Sequence, residues 1–520
     1  MVGANPATVG RLGPSPPSEL VAGIDLATQE VRVSCADAAG RVVSRGSAPL
    51  PAPDRPRPGW SQTDARAWWP ATLTALRQAT SALGPRAKSI VAAAVAATSG
   101  TVVVVDGGGR PLGPALLYDD QRADAQAAVA AEAGADRWAA LGWRPGATSG
   151  LAKWGWLIAQ PGVAARARSA WHASDVVVAG LTGDRPPTDW SHALKSGYDP
   201  GRQEWAVEAT AALGIGDDLL AEVRPPSSPA GVVGAEAAAA TGLPAGCGVR
   251  LGMTDGCAGQ VAAGADRPGR FVTVIGTTMV VKGATDGLVH DPSGAVYSHR
   301  HPGGWWLPGG ASNTGGAALG AGSPGADLGE LDRRAAAAGP AGCVTYPLLG
   351  TGERFPFVAP AATGFWLGHP SDDAERHRAV LEGVAFLERL AYGRLTGLGA
   401  SPAGPVRSAG RGGSSRVWAG VRASVLRRPI LVVEGADTAF GACILAGAGT
   451  LHADLVAAGT AMVAEGDEVT PTDAEGDALD ESFARFVVAL SERGWLGDEA
   501  AQAVLSTLPH DHGEDPGPAV

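Results

Sequence analysis

Leu20-Val21-Ala22-Gly23-Ile24-Asp25-Leu26-Ala27-Thr28 places a carboxylate and a hydroxyl directly after an apolar run. Leu20 to Asp25 reads as a buried strand, Leu26 to Gln29 as a turn, and Val31 to Cys35 as an alternating return strand. Asp37 to Gly40 turns the chain into a third strand, Arg41 to Ser47. The same grammar returns about half a chain later. Phe271 to Ile275 is a strand, Gly276-Thr277-Thr278 a tight turn, and Met279 to Lys282 the return strand. Two copies of one hairpin predict two similar lobes, with both turns available to hold a polyanion between them.

Between and after the hairpins, strands alternate with helices. Ile90 to Ala97 is an apolar strand ending at Thr98-Ser99-Gly100, Val102 to Val105 is another, and Ala115 to Tyr118 leads into Asp119-Asp120 and an Ala-rich helix. Val249 to Met253 runs into Thr254-Asp255-Gly256 and a small-residue helix, Cys257 to Gly264. His377 to Leu390 carries Val380, Leu381, Val384 and Leu387 at helical spacing. Pro405 to Ser408 precedes a glycine-rich loop, Gly410 to Gly413, and a helix with Trp418. This is α/β texture. It divides the chain into an N-terminal tail (1–19), a first lobe (20–265), a second lobe (266–465) and an acidic C-terminal extension (466–520) whose end is expected to be mobile.

With 45% hydrophobic and 18% charged residues over 520 positions, the chain is ordinary for a globular enzyme, and its 75 glycines follow no collagen period. A formal charge of −11 supplies no basic face for nucleic acid. Met1 to Glu19 lacks the pattern of a signal peptide, and no run of 18 apolar residues follows, so no membrane partner is expected. Cys35, Cys247, Cys257, Cys343 and Cys443 are scattered, with no C-x-x-C, which points to neither a disulfide framework nor a zinc site and suits a reducing cytoplasm. Only Lys88, Lys153, Lys195 and Lys282 are lysines; Lys195 and Lys282 are expected on solvated faces.

No G-x-x-x-x-G-K-[ST] occurs, and no G-x-G-x-x-G follows the first strand. A triphosphate is then best held by hairpin turns, with a carboxylate positioning Mg²⁺ through water. Asp25, Thr28, Gly276, Thr277 and Thr278 have that chemistry, although Asp25 and Thr28 equally suit a plain β-turn. Asp255, at a strand-to-helix junction, reads either as an N-cap or as a base aimed into the cleft, accepting a proton from a substrate hydroxyl. Asp119 and Asp120 raise the same ambiguity. Gly410 to Gly413 either lets backbone approach a nucleotide or is one more loop, and Trp418 either flanks an adenine or is core.

Taken in order, these segments resemble the FGGY carbohydrate kinases, ATP-dependent sugar kinases on the two-lobed, actin-like (ribonuclease H-like) α/β fold. The residues that carry the resemblance run from Gly23-Ile24-Asp25-Leu26-Ala27-Thr28 through Pro58-Gly59-Trp60, Leu117 to Arg122 and Gly252 to Asp255. Ile275 to Thr278, Thr351 to Pro356, Leu381 to Phe386, Ala409 to Trp418 and Phe440 to Ala442 continue it. The resemblance implies that Asp25 organises Mg²⁺, that Thr28, Gly276, Thr277 and Thr278 contact phosphates, and that Asp255 is the catalytic base. It further implies that Gly412, Gly413, Ser415 and Trp418 line the ATP site, while Ser99 and Asp119 or Asp120 face the sugar. Thr188 to Pro200, Val296 to Arg300 and Gly309 to Gly316 are similar to the plant and cyanobacterial branch associated with D-ribulose phosphorylation. That branch lacks the Met-His pair of typical xylulose kinases, and here Ser99-Gly100 stands between Thr98 and Thr101.

Two residues depart from the family pattern: Ala27 replaces the glycine of Asp-x-Gly-Thr, and Arg411 interrupts three glycines. The expectation is a cytosolic kinase, monomer or homodimer, of D-ribulose, with D-xylulose, L-ribulose or a pentitol as alternatives. A non-catalytic nucleotide sensor of the same fold is the alternative of another class.

Overall fold

The structure, a computed structural model, describes residues 19–322 and 325–506. Its first lobe is built on a six-stranded sheet of β1 (Leu20–Leu26), β2 (Glu30–Asp37), β3 (Val42–Pro49), β4 (Ile90–Ala97), β5 (Pro229–Val232) and β6 (Gly248–Thr254), in the order β5-β6-β4-β1-β2-β3. The second lobe carries a seven-stranded sheet of β7 (Phe271–Ile275), β8 (Met279–Gly283), β9 (Tyr297–Arg300), β10 (Trp306–Ala311), β11 (Val406–Ala409), β12 (Ile430–Val432) and β13 (Asp467–Val469), in the order β9-β10-β8-β7-β11-β12-β13. In each sheet the opening hairpin is antiparallel and its first strand pairs in parallel with a later one, β1 with β4 and β7 with β11. The repeated hairpin in the sequence is thus the seed of a repeated sheet.

Helices cover both faces, which is why β4 reads as an unbroken apolar run. Four helices of the first lobe bear on the site: α1 (Trp68–Leu83), α2 (Gly150–Ile158), α3 (Trp190–Leu194) and α4 (Asp255–Ala262). From the later chain come α5 (Leu328–Ala338), α6 (Asp373–Gly397), α7 (Arg416–Leu426), α8 (Thr438–Gly447) and α9 (Asp473–Glu492). One face of the first sheet packs Ala93, Val95 and Ala97 with α1 residues Ala75, Leu76 and Ala79. The other packs Ala92, Ala94 and Ala96 with α4 and with Phe440, Ala442 and Ile444 of α8. Small side chains let α8 come very close. A Cβ on Gly23 would lie 2.0 Å from the Ala439 carbonyl oxygen, and one on Gly441 would lie 2.1 Å from that of Ala258.

Several boundaries differ from the sequence reading. The helix expected from Cys257 begins at Asp255, with Thr254 in the N-cap position. The helix expected over His377 to Leu390 extends over all of α6, and Gly410 to Gly413 forms one helical turn rather than an open loop. The extension set apart at 466–520 is, in its described part, built into the second lobe. β13 adds to its sheet, and Leu479, Phe483, Phe486, Val487 and Leu490 of α9 enter its core. Charge on the outer face of α9 hides this amphipathic stripe in a composition count. The N-terminal tail, except Glu19, and the final Pro-His-Asp-His segment lie outside the described residues. Lys282, expected in solvent, is buried, because β8 runs through the interior and its ammonium finds the Cys257 sulfur at 3.3 Å.

Replacing Gly23 by Ala forces a methyl group into backbone that cannot move independently, at a cost of about 3 kcal/mol, the upper end of the usual overpacking range. For domains of this size that lowers Tm by roughly 6 °C or more. Thermal melts of Gly23→Ala against wild type check it; an unchanged Tm would show that the α8 contact is slack.

Candidate active site

The strand register brings the sequence candidates to one edge. Leu26 of β1 pairs with Ala97 of β4, and Ala97 with Thr254 of β6. The turn after Asp25, the loop carrying Ser99 and the start of α4 at Asp255 therefore lie side by side at the carboxyl ends of parallel strands. In open α/β sheets ligands bind at this edge.

Asp25 is buried, with one carboxylate oxygen accepting from Arg32 Nε and Nη2 at 3.0 and 2.6 Å and Oδ1 left without a partner. Burial pushes its carboxyl up to about 6 against the pull of Arg32, and the negative charges of Asp255 and Asp437 add to the rise. A carboxylate this costly to ionise, with one oxygen open, suits a cation. An ion held mainly by phosphate oxygens and water needs only one or two carboxylates, so the residues present fit Mg²⁺. Among the described residues no cluster of three or more His, Cys, Asp or Glu forms a dedicated metal cage. Thr28, beside Asp25, leaves its hydroxyl unbonded among the described residues. Ala27 closes the turn with its N–H to the Glu30 carbonyl at 3.1 Å and has no positive φ, so the position tolerates a side chain.

Asp255 is half-buried, and its one side-chain hydrogen bond among the described residues is from the Gly256 N–H at 2.8 Å. The start of α4 is held from behind. Thr254 N–H donates to Ser191 Oγ at 2.9 Å, and that hydroxyl donates to Asp189, which pairs with His192. Asp255 therefore points from a braced helix end, with its carboxylate free for other work.

Asp119 and Asp120 part company. Asp120 is fully buried, bonded to the Ser61 N–H and paired with Arg122. It supports the loop and offers no free oxygen to a sugar, so the sequence assignment of Asp120 as a sugar contact is corrected. Arg122 in turn stacks 3.8 Å from the Trp60 ring centre. Asp119 pairs with Arg55, which holds its carboxyl below the usual range despite burial, and keeps Oδ1 unpartnered. Ser99 Oγ is likewise buried without a partner. Sequence reading gave Lys153 no role. It is fully buried in α2 and donates to the Gly100 and Leu117 carbonyls at 3.0 and 2.6 Å, pinning the Ser99 loop to the Asp119 loop. Burial pulls its ammonium down to about 7, and nearby Lys195 and Arg122 pull the same way.

In the second lobe a cleft of about 570 Å³ is lined by Gly276, Thr277, Gly316, Asp332, Arg411, Gly412, Ser415 and Trp418. Gly276 and Thr277 are exposed at its rim, and the Thr277 and Thr278 hydroxyls are unbonded among the described residues. The turn rests on Ser312 to Ala317: Gly316 and Ala317 N–H groups bond the Gly276 and Thr277 carbonyls, and buried Glu353 holds Ser312 and Asn313. Gly410 has φ +85° and no room for a Cβ, which would meet the Ile275 carbonyl oxygen at 2.7 Å. Gly413 is buried, its carbonyl held by Ser408, which Arg422 also contacts from its buried pair with Glu388. Trp418 is core: its indole N–H bonds the Leu381 carbonyl and its ring lies under Gly412. Ser415 caps α7 and donates to Asp332, a cleft residue that nothing in the sequence flagged. Arg411 is exposed and has no side-chain partner among the described residues.

Carboxylates at strand ends in the first lobe and glycine-rich turns lining a cleft in the second match a known arrangement. The chain matches the FGGY family of carbohydrate kinases, in its N-terminal domain over residues 20–262 and its C-terminal domain over 271–450. The chain belongs to this family. A xylulose kinase of Streptomyces rubiginosus is 31% identical over 77% of this chain and 81% of its own length. One of Streptomyces coelicolor is 30% identical over 84% and 89%. Among solved structures, a xylulose kinase from Rhodospirillum rubrum is 28% identical with a TM-score of 0.81, covering 92% of this chain and 99% of that one. One described as a xyloylose kinase, from Brucella ovis, is 27% identical with a TM-score of 0.82 at the same coverage. The fold is accordingly the two-domain actin-like ATPase type, and the protein is a sugar-phosphorylating enzyme that uses ATP as donor. No helix among the described residues is long and apolar enough to cross a membrane.

Two outcomes follow. Because the folded carboxyl of Asp25 titrates near 6 rather than 3.8, its ionised form costs the fold roughly 3 kcal/mol at pH 8 and less as the pH falls. Asp25→Asn should lower kcat roughly 100- to 1,000-fold while raising Tm more at pH 8 than at pH 5; equal losses of Tm at both would mean that the Arg32 pair outweighs burial. Arg411→Ala should raise KM for ATP about 3- to 10-fold and leave KM for the sugar unchanged, as expected if this exposed cation of the cleft meets a phosphate; steady-state kinetics decide it.

Proposed function

We propose that this FGGY kinase phosphorylates the terminal hydroxyl of a five-carbon ketose, D-ribulose first, giving the 5-phosphate. The observation that carries the reading is the convergence of Asp25, Ser99 and Asp255 at one sheet edge, in a chain whose second lobe carries the Gly276 and Gly410 turns. In this reading Asp255 accepts the proton of the sugar hydroxyl as its oxygen bonds to the γ-phosphorus, and the bond to the ADP oxygen breaks. Thr28, Gly276, Thr277 and Thr278 offer N–H and O–H donors to phosphate oxygens, and Gly412, Gly413, Ser415 and Trp418 shape the nucleotide end. Mg²⁺, held near Asp25 with Asp255 nearby, neutralises phosphate charge when bound. Net charge of −11 is no obstacle, because the donors are local.

Ser99 supports D-ribulose: a small hydroxyl and a bare Gly100 stand where the resemblance puts Met-His in typical xylulose kinases. The names of the relatives favour D-xylulose, the C3 epimer, as the second reading. The reading also places the enzyme in the cytosol as monomer or homodimer.

A coupled ADP-release assay with ATP, Mg²⁺ and a panel of pentuloses, pentitols, gluconate and glycerol tests it. D-Ribulose should give the highest kcat/KM, and Asp255→Asn should lose roughly 1,000-fold in kcat. A higher value for D-xylulose transfers the assignment to the epimer. ATP binding without turnover of any sugar would identify a nucleotide sensor instead.

A further inference from the structure

Of the four lysines in the chain, Lys153, Lys195 and Lys282 lie near one another, Lys195 close to Lys153 and, with Lys282, to His299. Two have partners. Lys153 is consumed by the Gly100 and Leu117 carbonyls, and Lys282 by the Cys257 sulfur. Lys195 is different. It caps the end of α3, where its own carbonyl accepts from the Leu151 N–H, and its side chain is only half-buried. Its stem passes over Gly100, with Cδ 4.0 Å from where a Cβ on that glycine would sit. Gly100 has φ +78° and a Cβ there would be 3.1 Å from the Thr148 carbonyl oxygen, so the space stays open for structural reasons. The ammonium lies 4.9 Å from the ring centre of Tyr297 on β9 of the second lobe, and it has no hydrogen bond or ion pair among the described residues.

Asp255 and Asp119 Oδ1 only accept when ionised, and Arg55 is occupied by Asp119. His299, two residues beyond Tyr297, is buried and held neutral by burial, with Lys282 and Lys195 adding to the effect. A ketose, however, brings one oxygen that only accepts: its carbonyl. Ser99 Oγ, His299 Nε2 and the Lys195 ammonium stand here without a hydrogen-bond partner among the described residues, with Tyr118 and the exposed Arg354 near Asp119 and Asp255. Of these Lys195 is the cation whose stem lies over Gly100, and an ammonium is a stronger donor than a neutral hydroxyl or imidazole.

We propose, on the kinase reading above, that Lys195 is the acceptor-specificity residue, donating to the carbonyl end of the ketose bound over Gly100 beside Ser99, while the far hydroxyl faces Asp255. Its contact with Tyr297 carries that recognition to the second lobe. Lys195 then selects ketoses over the matching pentitols, which lack the acceptor-only oxygen.

Lys195→Met should raise KM for the best ketose by roughly 10-fold or more, leave KM for ATP within about 2-fold, and collapse the ketose-over-pentitol ratio of kcat/KM. Lys195→Arg should restore part of the ratio. A merely structural lysine would move both acceptors and ATP together, so an unchanged ratio overturns the assignment. A second readout does not depend on turnover. In wild-type protein carrying ¹³C-methylated lysines, the Lys195 resonance, identified by its loss in Lys195→Arg, should shift on adding D-ribulose or D-xylulose. If no sugar in the panel releases ADP, the kinase reading fails on its own; if no sugar shifts the Lys195 resonance, this inference fails whatever the turnover.

Discussion

The placement of the two first-lobe carboxylates depends on how closely α8 lies on the first sheet. Gly23 admits the Ala439 carbonyl, and Gly441 admits that of Ala258, so backbone packs on backbone along both β1 and α4. Asp25 is two residues beyond Gly23, and Asp255 is three before Ala258. One helix from the far end of the chain thereby sets the height of both carboxylates. Asp437, its N-cap, also pairs with Arg45 on β3 and adds to the field that raises the Asp25 carboxyl. Close packing transmits position faithfully because the interior has no slack to absorb a shift.

The electrostatics are divided along the same seam. The first lobe supplies negative charge: a buried carboxylate with one open oxygen and a second carboxylate on a braced helix start. The second lobe supplies donors from turns held by buried bonds such as Glu353 to Ser312 and Ser408 to the Gly413 carbonyl, together with the exposed cation Arg411. Phosphoryl transfer asks for positioning and charge stabilisation more than for covalent help, and preorganised dipoles give both without reorganising. An acidic protein can hold a triphosphate on these terms.

The hairpins were legible in sequence because period-two alternation and polar turns have few other readings, and their repetition pointed to two lobes. The full sheet order was not, since β6 joins β4 across more than a hundred residues and pairing at that range leaves no local mark. Among site residues, Asp25, Ser99 and Asp255 stand out because each follows a strong strand. Asp120 misled: beside Asp119 it has the same local pattern, and only Arg122 and the Ser61 N–H distinguish a loop support from a free carboxylate. Asp332 was invisible on an exposed-looking helix. Lys282 was misplaced because one lysine after three apolar residues reads as a strand end, when the strand in fact continues inward to a sulfur partner. Lys153 and Lys195 could be singled out by rarity alone; their partners are set by tertiary contact.

In the proposed reaction Asp25 and Asp255, both packed under α8, act on one transferring phosphoryl group. A double-mutant cycle on kcat for sugar-dependent ADP release, using Asp25→Asn, Asp255→Asn and the pair, tests it most directly. Groups serving one transition state are strongly non-additive, so the double variant should be about as slow as the slower single one. Losses that simply multiply would contradict the account.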